Sequence, residues 1–249
     1  MLEINQIYNM DCLDGLKQIP DNSVDFILTD PPYNINLNPQ RGITDKIQND
    51  NFIDIEFIAW FVPIVKELNR VLKDNSFIIM FCGWSTIPLF RNILDNYWKL
   101  KSMPIWVKNN FGIGYYTRPK YEPCLLYFKG EPKPLDKAIS DVWEFDKILN
   151  PKHSCEKPVK LMRFIINSFS KEGDVVLDPF LGLGAVCIAS KQLRRQFIGF
   201  EIDSNYVEIA QKRLSQKVLF PLAQTQEGGA IPPIDKSMGI LANFLLKQI

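Results

Sequence analysis

The chain has 249 residues, 46% of them hydrophobic and 23% charged, with 29 basic against 28 acidic side chains and a formal net charge of +1. That length suits one large domain, or a domain with a small appendage, and is ample for a substantial core. The near-neutral balance excludes a nucleic-acid binder that works by global basicity, so any such surface must be local.

Glu3 to Tyr8 alternates and predicts a strand, which ends at Asn9-Met10-Asp11-Cys12 and leads to a short helix over Leu13 to Gln18. Pro20-Asp21-Asn22 breaks that helix before the apolar run Val24 to Ile27, which reads as a buried strand. A polar, Asn-rich span to Asn51 comes next, long for a loop. Phe52 to Leu72 carries apolar residues at helical spacing, with Pro63 as a kink or boundary. Ser76 to Cys82 is a buried strand and Ile87 to Tyr97 a helix with Pro88 in its first turn. Two strands, near Ser102 to Lys108 and Cys124 to Lys129, flank an aromatic and basic loop, and Glu131 to Lys152 reads as irregular. Beyond it lie a helix (Val159 to Ser170), a strand (Val175 to Leu177), a Gly-x-Gly turn, a helix to Leu193, a strand (Phe197 to Phe200) and a helix (Ser204 to Leu214). The alternation predicts an α/β, doubly wound, largely parallel sheet. The tail from 221 to 249 is Gly/Pro-marked, then apolar, and suits a short docking or interface helix.

Five scattered cysteines without a Cys-x-x-Cys pair, and His153 as the one histidine, give no zinc spacing, so no metal is expected. The odd cysteine count and the lack of a signal peptide point to free thiols in a reducing cytoplasm. No apolar run is long enough to span a membrane.

The chemistry concentrates at Leu28-Thr29-Asp30-Pro31-Pro32-Tyr33-Asn34. Neither proline can donate to a ladder, and a residue before proline is pushed into extended geometry. A strand therefore ends in a stiff corner offering acceptors, the Asp30 carboxylate and the Pro31 carbonyl, beside the Tyr33 ring. That inventory fits the exocyclic amino group of a nucleobase: two acceptors for its hydrogens and a face on which to stack. An ordinary Pro-Pro turn is the plainer reading of the same residues.

A second constellation, Asp178-Pro179-Phe180-Leu181-Gly182-Leu183-Gly184, lies after a strand and opens a helix, with Glu201 closing the next strand. Glycines let backbone approach a ligand, and an acid at that place can accept from ribose hydroxyls. The third glycine of dinucleotide sites is absent, which disfavours NAD. Asp203 reads as the cap of the last helix and Glu201 as a ligand-binding acid. Asp11 fits a helix cap and an adenine contact equally well.

Together, Asp30-Pro31-Pro32-Tyr33 and the later Asp178-Pro179-Phe180-x-Gly182-x-Gly184 resemble the amino-methylating DNA methyltransferases, in the order of their permuted (beta) group. His153-Ser154-Cys155-Glu156-Lys157-Pro158 resembles that group's His…Lys-Pro segment. Asn9-Met10-Asp11-Cys12-Leu13 is similar to the segment ahead of the catalytic strand, and Trp106-Val107-Lys108 with Glu122…Leu126 to the hairpin beside the base pocket. The resemblance implies a seven-stranded Rossmann-like sheet with an antiparallel hairpin, a methyltransferase domain over 1–220, and a small target-recognition insert within 99–152.

It further implies S-adenosylmethionine as cofactor, held by Asp11, Cys12, Lys157, Pro158, Asp178, Phe180, Gly182, Gly184 and Glu201, with Asp30, Pro31, Pro32 and Tyr33 catalytic. The target would be a base flipped out of double-stranded DNA. Asp at the first motif position favours adenine N6, with cytosine N4 the nearest alternative and an RNA methyltransferase or a catalytically weak DNA-binding homologue behind it. Arg41, Lys46, Lys108, Arg118 and Lys120 are candidate DNA contacts. A cognate restriction endonuclease and a homodimer are the partners such a chain would have. Leu183, Ala185 and Val186 replace the hydroxyl residues that the family uses near the methionine carboxylate, leaving backbone N–H groups, Lys157 or the Pro158 helix to substitute.

Overall fold

A computed structural model describes residues 2–36, 48–112, 116–135, 138–149 and 156–216; the tail and its expected docking helix lie outside the described residues. In chain order the elements are β1 (Gln6–Asn9), α1 (Cys12–Leu16), β2 (Val24–Thr29), α2 (Asp54–Val71), β3 (Leu72–Phe81) and α3 (Ile87–Leu94). Then come β4 (Lys99–Ser102), β5 (Ile105–Val107), β6 (Tyr121–Lys129), β7 (Val142–Glu144), α4 (Val159–Phe169), β8 (Val175–Asp178), α5 (Ala185–Gln192), β9 (Gln196–Glu201) and α6 (Ser204–Ser215).

The strands join in the order β1-β9-β8-β2-β3-β6-β5-β7, with β4 also paired to β6. From β1 to β3 the pairs are parallel, and β6 runs antiparallel to β3, β4 and β5. The sheet has nine strands among the described residues where the resemblance implies seven. One addition is β7, inside the span that reads as irregular. Three residues are too few to carry a period, but Trp143 is buried and β7 runs parallel to β5. The other is β4, because the strand expected over Ser102 to Lys108 divides at Pro104, whose carbonyl instead accepts from Cys124 N (2.7 Å).

Helices cover both faces. In β2, Ile27 packs with α1, α2 and α3, while Phe26 and Leu28 pack with α4 and α5, so alternate side chains feed opposite layers. Helix α2 runs through Pro63 without ending there. It buries Phe57, Phe61, Ile64, Val65, Leu68 and Val71. At roughly 1.5–3 kcal/mol per buried side chain, that outweighs the cost of about 3 kcal/mol for an interior proline. Helix α1 is shorter than its sequence suggests, stopping at Leu16, and α3 stops at Leu94.

The pairing order gathers the acidic residues. β1, β9, β8 and β2 are consecutive parallel strands, so their C-terminal ends reach one edge. Along it stand Asp11 just after β1, Glu201 closing β9, Asp178 closing β8 and Asp30 just after β2. The chain leaves β2 toward β3 and leaves β8 toward β9, in opposite directions. The crevice between them is the switch point at which such sheets take ligands.

Candidate active site

Because β2 and β8 pair directly, with Ile27 opposite Leu177, the two motifs face each other across one strand spacing. A side-chain bond locks them together: Thr29 Oγ1 donates to Asp178 Oδ1 at 3.0 Å. Asp178 Oδ1 also accepts from Phe180 N at 3.2 Å, turning the chain out of β8. Burial pushes the Asp178 carboxyl up to about 7, against those two hydrogen bonds, and the nearby Asp30 and Glu201 charges push the same way.

The proline corner carries a polar cluster. Tyr33 donates its hydroxyl to Asp30 Oδ1 at 2.6 Å, and Lys157 Nζ lies 2.5 Å from Asp30 Oδ2. Lys157, only 7% exposed, also reaches Glu122 Oε2 at 3.2 Å and stands over the rings of Tyr33 and Phe81 at 5.6 and 5.0 Å. Glu122 is paired on its other oxygen with Lys108. Burial alone would raise the Glu122 carboxyl, but Lys157 and Lys108 overcome it and hold it at about 2. The order Lys108, Glu122, Lys157, Asp30 thus runs without a break from the hairpin to the corner.

The glycine turn is built by its backbone. Gly182 (φ +52°) and Gly184 (φ +81°) both occupy the left-handed region. A Cβ on Gly184 would lie 3.0 Å from Ala210 Cβ, so that glycine lets α6 approach, whereas a Cβ on Gly182 would meet nothing within 4 Å. Glu201 organises the turn: Oε2 accepts from Gly182 N (2.8 Å) and Oε1 from Asp203 N (2.9 Å). Burial raises the Glu201 carboxyl, against the pull of those amides.

Between the motifs lies a cavity of about 450 Å³, lined by Asp11, Asp30, Lys157, Asp178, Phe180, Gly182 and Glu201 among others. That volume lies in the range of small-molecule and cofactor sites. Its donor set suits an adenosyl group. A carboxylate stands beside a glycine that leaves room for ribose, and apolar walls at Phe180 and Ile202 flank it.

Residues 24–212 match the profile of a family described as DNA methylase, the N6/N4 methyltransferases. The chain belongs to that family. The DNA adenine methyltransferase YhdJ of Escherichia coli strain K12 is 31% identical to this methylase over 253 residues, covering 85% of this chain and 83% of YhdJ. The type II methyltransferase M.BglII of Bacillus subtilis is 31% identical over 258 residues, covering 85% and 69%. Among solved structures, the M1.HpyAVI–SAM complex matches with a TM-score of 0.63 at 27% identity, covering 84% of this chain and 98% of that one. The cytosine-N4-specific PvuII methyltransferase matches at 0.69 with 18% identity, covering 87% and 88%, a likeness of fold.

In this methylase the expected site residues divide. Asp30, Pro31, Pro32, Tyr33, Asp11, Cys12, Lys157, Asp178, Phe180, Gly182 and Glu201 all line the cavity. Asp11 also caps α1 through Leu13 N (2.8 Å), so the cap and the cavity position coexist. Asp203 caps α6. Cys12 is buried in the first turn of α1, where burial and then Asp11 push its thiol up to about 12.

Pro158 and Gly184 are not among the cavity-lining residues: Pro158 is the buried N-cap of α4, and Gly184 packs against α6. Lys157 faces the proline corner, where Asp30 and Glu122 draw it. Lys108, expected to contact DNA, is largely buried against Glu122, its Nζ 5.0 Å from the centre of the Trp106 ring. Arg118 and Lys120 flank exposed Phe111 on the hairpin, 5.6 and 5.8 Å from its ring, and Arg41 and Lys46 lie outside the described residues. Thr29 and Glu122 stand inside segments that the sequence singles out, but their own roles do not show there: each is one polar residue on a strand, and only the pairing reveals its partner.

Proposed function

We propose that this DNA methylase transfers a methyl group from S-adenosylmethionine to the exocyclic N6 of an adenine flipped out of double-stranded DNA, and that it belongs to the permuted group in which the catalytic corner precedes the glycine turn. One observation carries the reading: β2 and β8 are adjacent and parallel, so the acceptor corner at Asp30 and the glycine turn at Gly182 open into the same cavity. The adenine preference is supported by Asp30 at the head of the corner and by the named activity of YhdJ.

When bound, the cofactor supplies an electrophilic methyl carbon on a sulfonium sulfur. The chain's residues do the rest by orientation and charge placement. Asp30 and the Pro31 carbonyl accept the two amino hydrogens, which turns the nitrogen lone pair out of conjugation and toward the cofactor. Tyr33 offers its ring to the base. Lys157 and the Tyr33 hydroxyl fix the Asp30 carboxylate from both oxygens. In transfer the new N–C bond would replace the C–S bond, whose electron pair would stay on sulfur, and Asp30 would take the surplus proton from nitrogen and pass it to water. Glu201 and Asp11 hold the adenosine end.

The test is transfer of isotopically labelled methyl to DNA and then nucleoside analysis. N6-methyladenine is expected; N4-methylcytosine would replace the adenine assignment, and label confined to RNA would overturn the DNA assignment. Asp30→Ala is expected to bind cofactor normally while losing at least about 100-fold in turnover. Near-normal turnover would remove Asp30 from the chemistry.

A further inference from the structure

Behind the proline corner two acids face two bases. Asp30, Glu122, Lys108 and Lys157 lie between 7% and 23% exposed. Glu122 divides its carboxylate between them: Oε1 takes Lys108, while Oε2 lies 3.2 Å from Lys157 Nζ and 3.5 Å from the Tyr33 hydroxyl. Lys157 and Tyr33 are in turn the groups that bond the two oxygens of Asp30. One Glu122 oxygen thus stands behind both contacts that aim the acceptor carboxylate. Neither Glu122 nor Lys108 is among the cavity-lining residues.

The backbone under Glu122 is pinned on both sides. Within the sheet it pairs with Trp106 of β5, whose indole N–H donates to the Phe145 carbonyl (2.8 Å). The next residue, Pro123, offers its carbonyl to Cys82 N just past β3 (3.2 Å). Drawing four charges out of water is costly, and exchanging such a set for apolar side chains of like volume is often neutral. Stability is therefore a poor account of this cluster, and its geometry supplies a better one.

We propose that Glu122 is a positioning residue for methyl transfer, acting through Lys157 to fix the Asp30 carboxylate without touching base or cofactor. This rests on the reading of Asp30 as the acceptor for the target amino group. A lysine ammonium is a compact charge on a flexible stem, and one acid alone leaves it free to swing about that acid. A second acid, fixed to β6, removes the freedom. Lys108 holds Oε1, which keeps Oε2 turned to the corner. A carboxylate misaimed by a fraction of an ångström costs rate rather than affinity.

The test is a double-mutant cycle on the full chain. It reads single-turnover methyl transfer to unmethylated bacterial genomic DNA and, by calorimetry, affinity for S-adenosylhomocysteine. Glu122→Gln is expected to slow transfer about 10- to 100-fold, with affinity within about threefold of wild type. In a Lys157→Met background the same substitution should slow transfer less than about threefold further, because the group it acts through is gone. Glu122→Asp, which keeps the charge one methylene short of Lys157, takes its place if the glutamine variant does not fold, and the same cycle is expected. Undiminished transfer, additive losses, or an equal fall in S-adenosylhomocysteine affinity overturns the assignment. Any of these, with transfer by the wild type intact, displaces Glu122 alone; a wild type that methylates no DNA takes the reading of Asp30 down first and Glu122 with it.

Discussion

The Lys157 ammonium lies 2.5 Å from Asp30 Oδ2, while the Tyr33 hydroxyl occupies Oδ1 at 2.6 Å. The carboxylate assigned to the target amino group is thus aimed before any base arrives. Pre-orientation of this kind lowers a barrier without contributing to ground-state binding.

Lys157→Met should therefore separate the two. Turnover is expected to fall about 10- to 100-fold, with cofactor affinity within about threefold of normal. Single-turnover rates and calorimetry together would check it, and parallel losses in both would show that Lys157 serves the cofactor instead.

Glu122 gives a pH signature. Its carboxyl is held at about 2 in the folded chain against an ordinary 4.5, because Lys157 and Lys108 outweigh the burial that would raise it. A depressed acid contributes stability that is complete above the unfolded value and is lost as pH falls through the folded one. Between pH 4.5 and 2 the protein should lose about 3 kcal/mol from this group. Glu122→Gln should be less stable than wild type at pH 7, since two lysines then share no acid, and should show a flatter acid limb in urea titrations.

Asp178 has the opposite sign. Burial first, then Asp30 and Glu201, raise its folded value to about 7 from 3.8. The folded state binds this proton more tightly, so stability falls as pH rises from about 4 to 7 and is level above. Asp178→Asn keeps an Oδ1 acceptor for Thr29 and Phe180, and should remove a slope worth about 4 kcal/mol. A sulfonium ligand favours the ionised carboxylate. Binding of S-adenosylmethionine near pH 7 should therefore release a proton, measurable in buffers of different ionisation enthalpy and absent from the variant.

Legibility tracks the range of the forces. The corner at Asp30 and the turn at Gly182 are readable because proline and glycine restrict their own backbone, which needs no knowledge of the rest of the chain. Strand β7 is not, since Val142, Trp143 and Glu144 are a strand only by virtue of β5 beside them. Lys108 looks like a solvated cation in the sequence, which shows a charge without its partner. Lys157 looks like a cofactor ligand for the same reason: its neighbours Asp30 and Glu122 come from two other parts of the chain. Pro63 misleads in the other direction, as packing of the whole α2 face outweighs a local penalty.

Lys108 and Glu122 sit at the root of the β5–β6 hairpin, whose backbone continues outward through the Lys108–Lys120 and Gly112–Pro119 bonds to exposed Phe111. The ion pairs from Lys108 through Glu122 and Lys157 tie that root to the proline corner, so a shift of the root moves the charges that hold Asp30 in place.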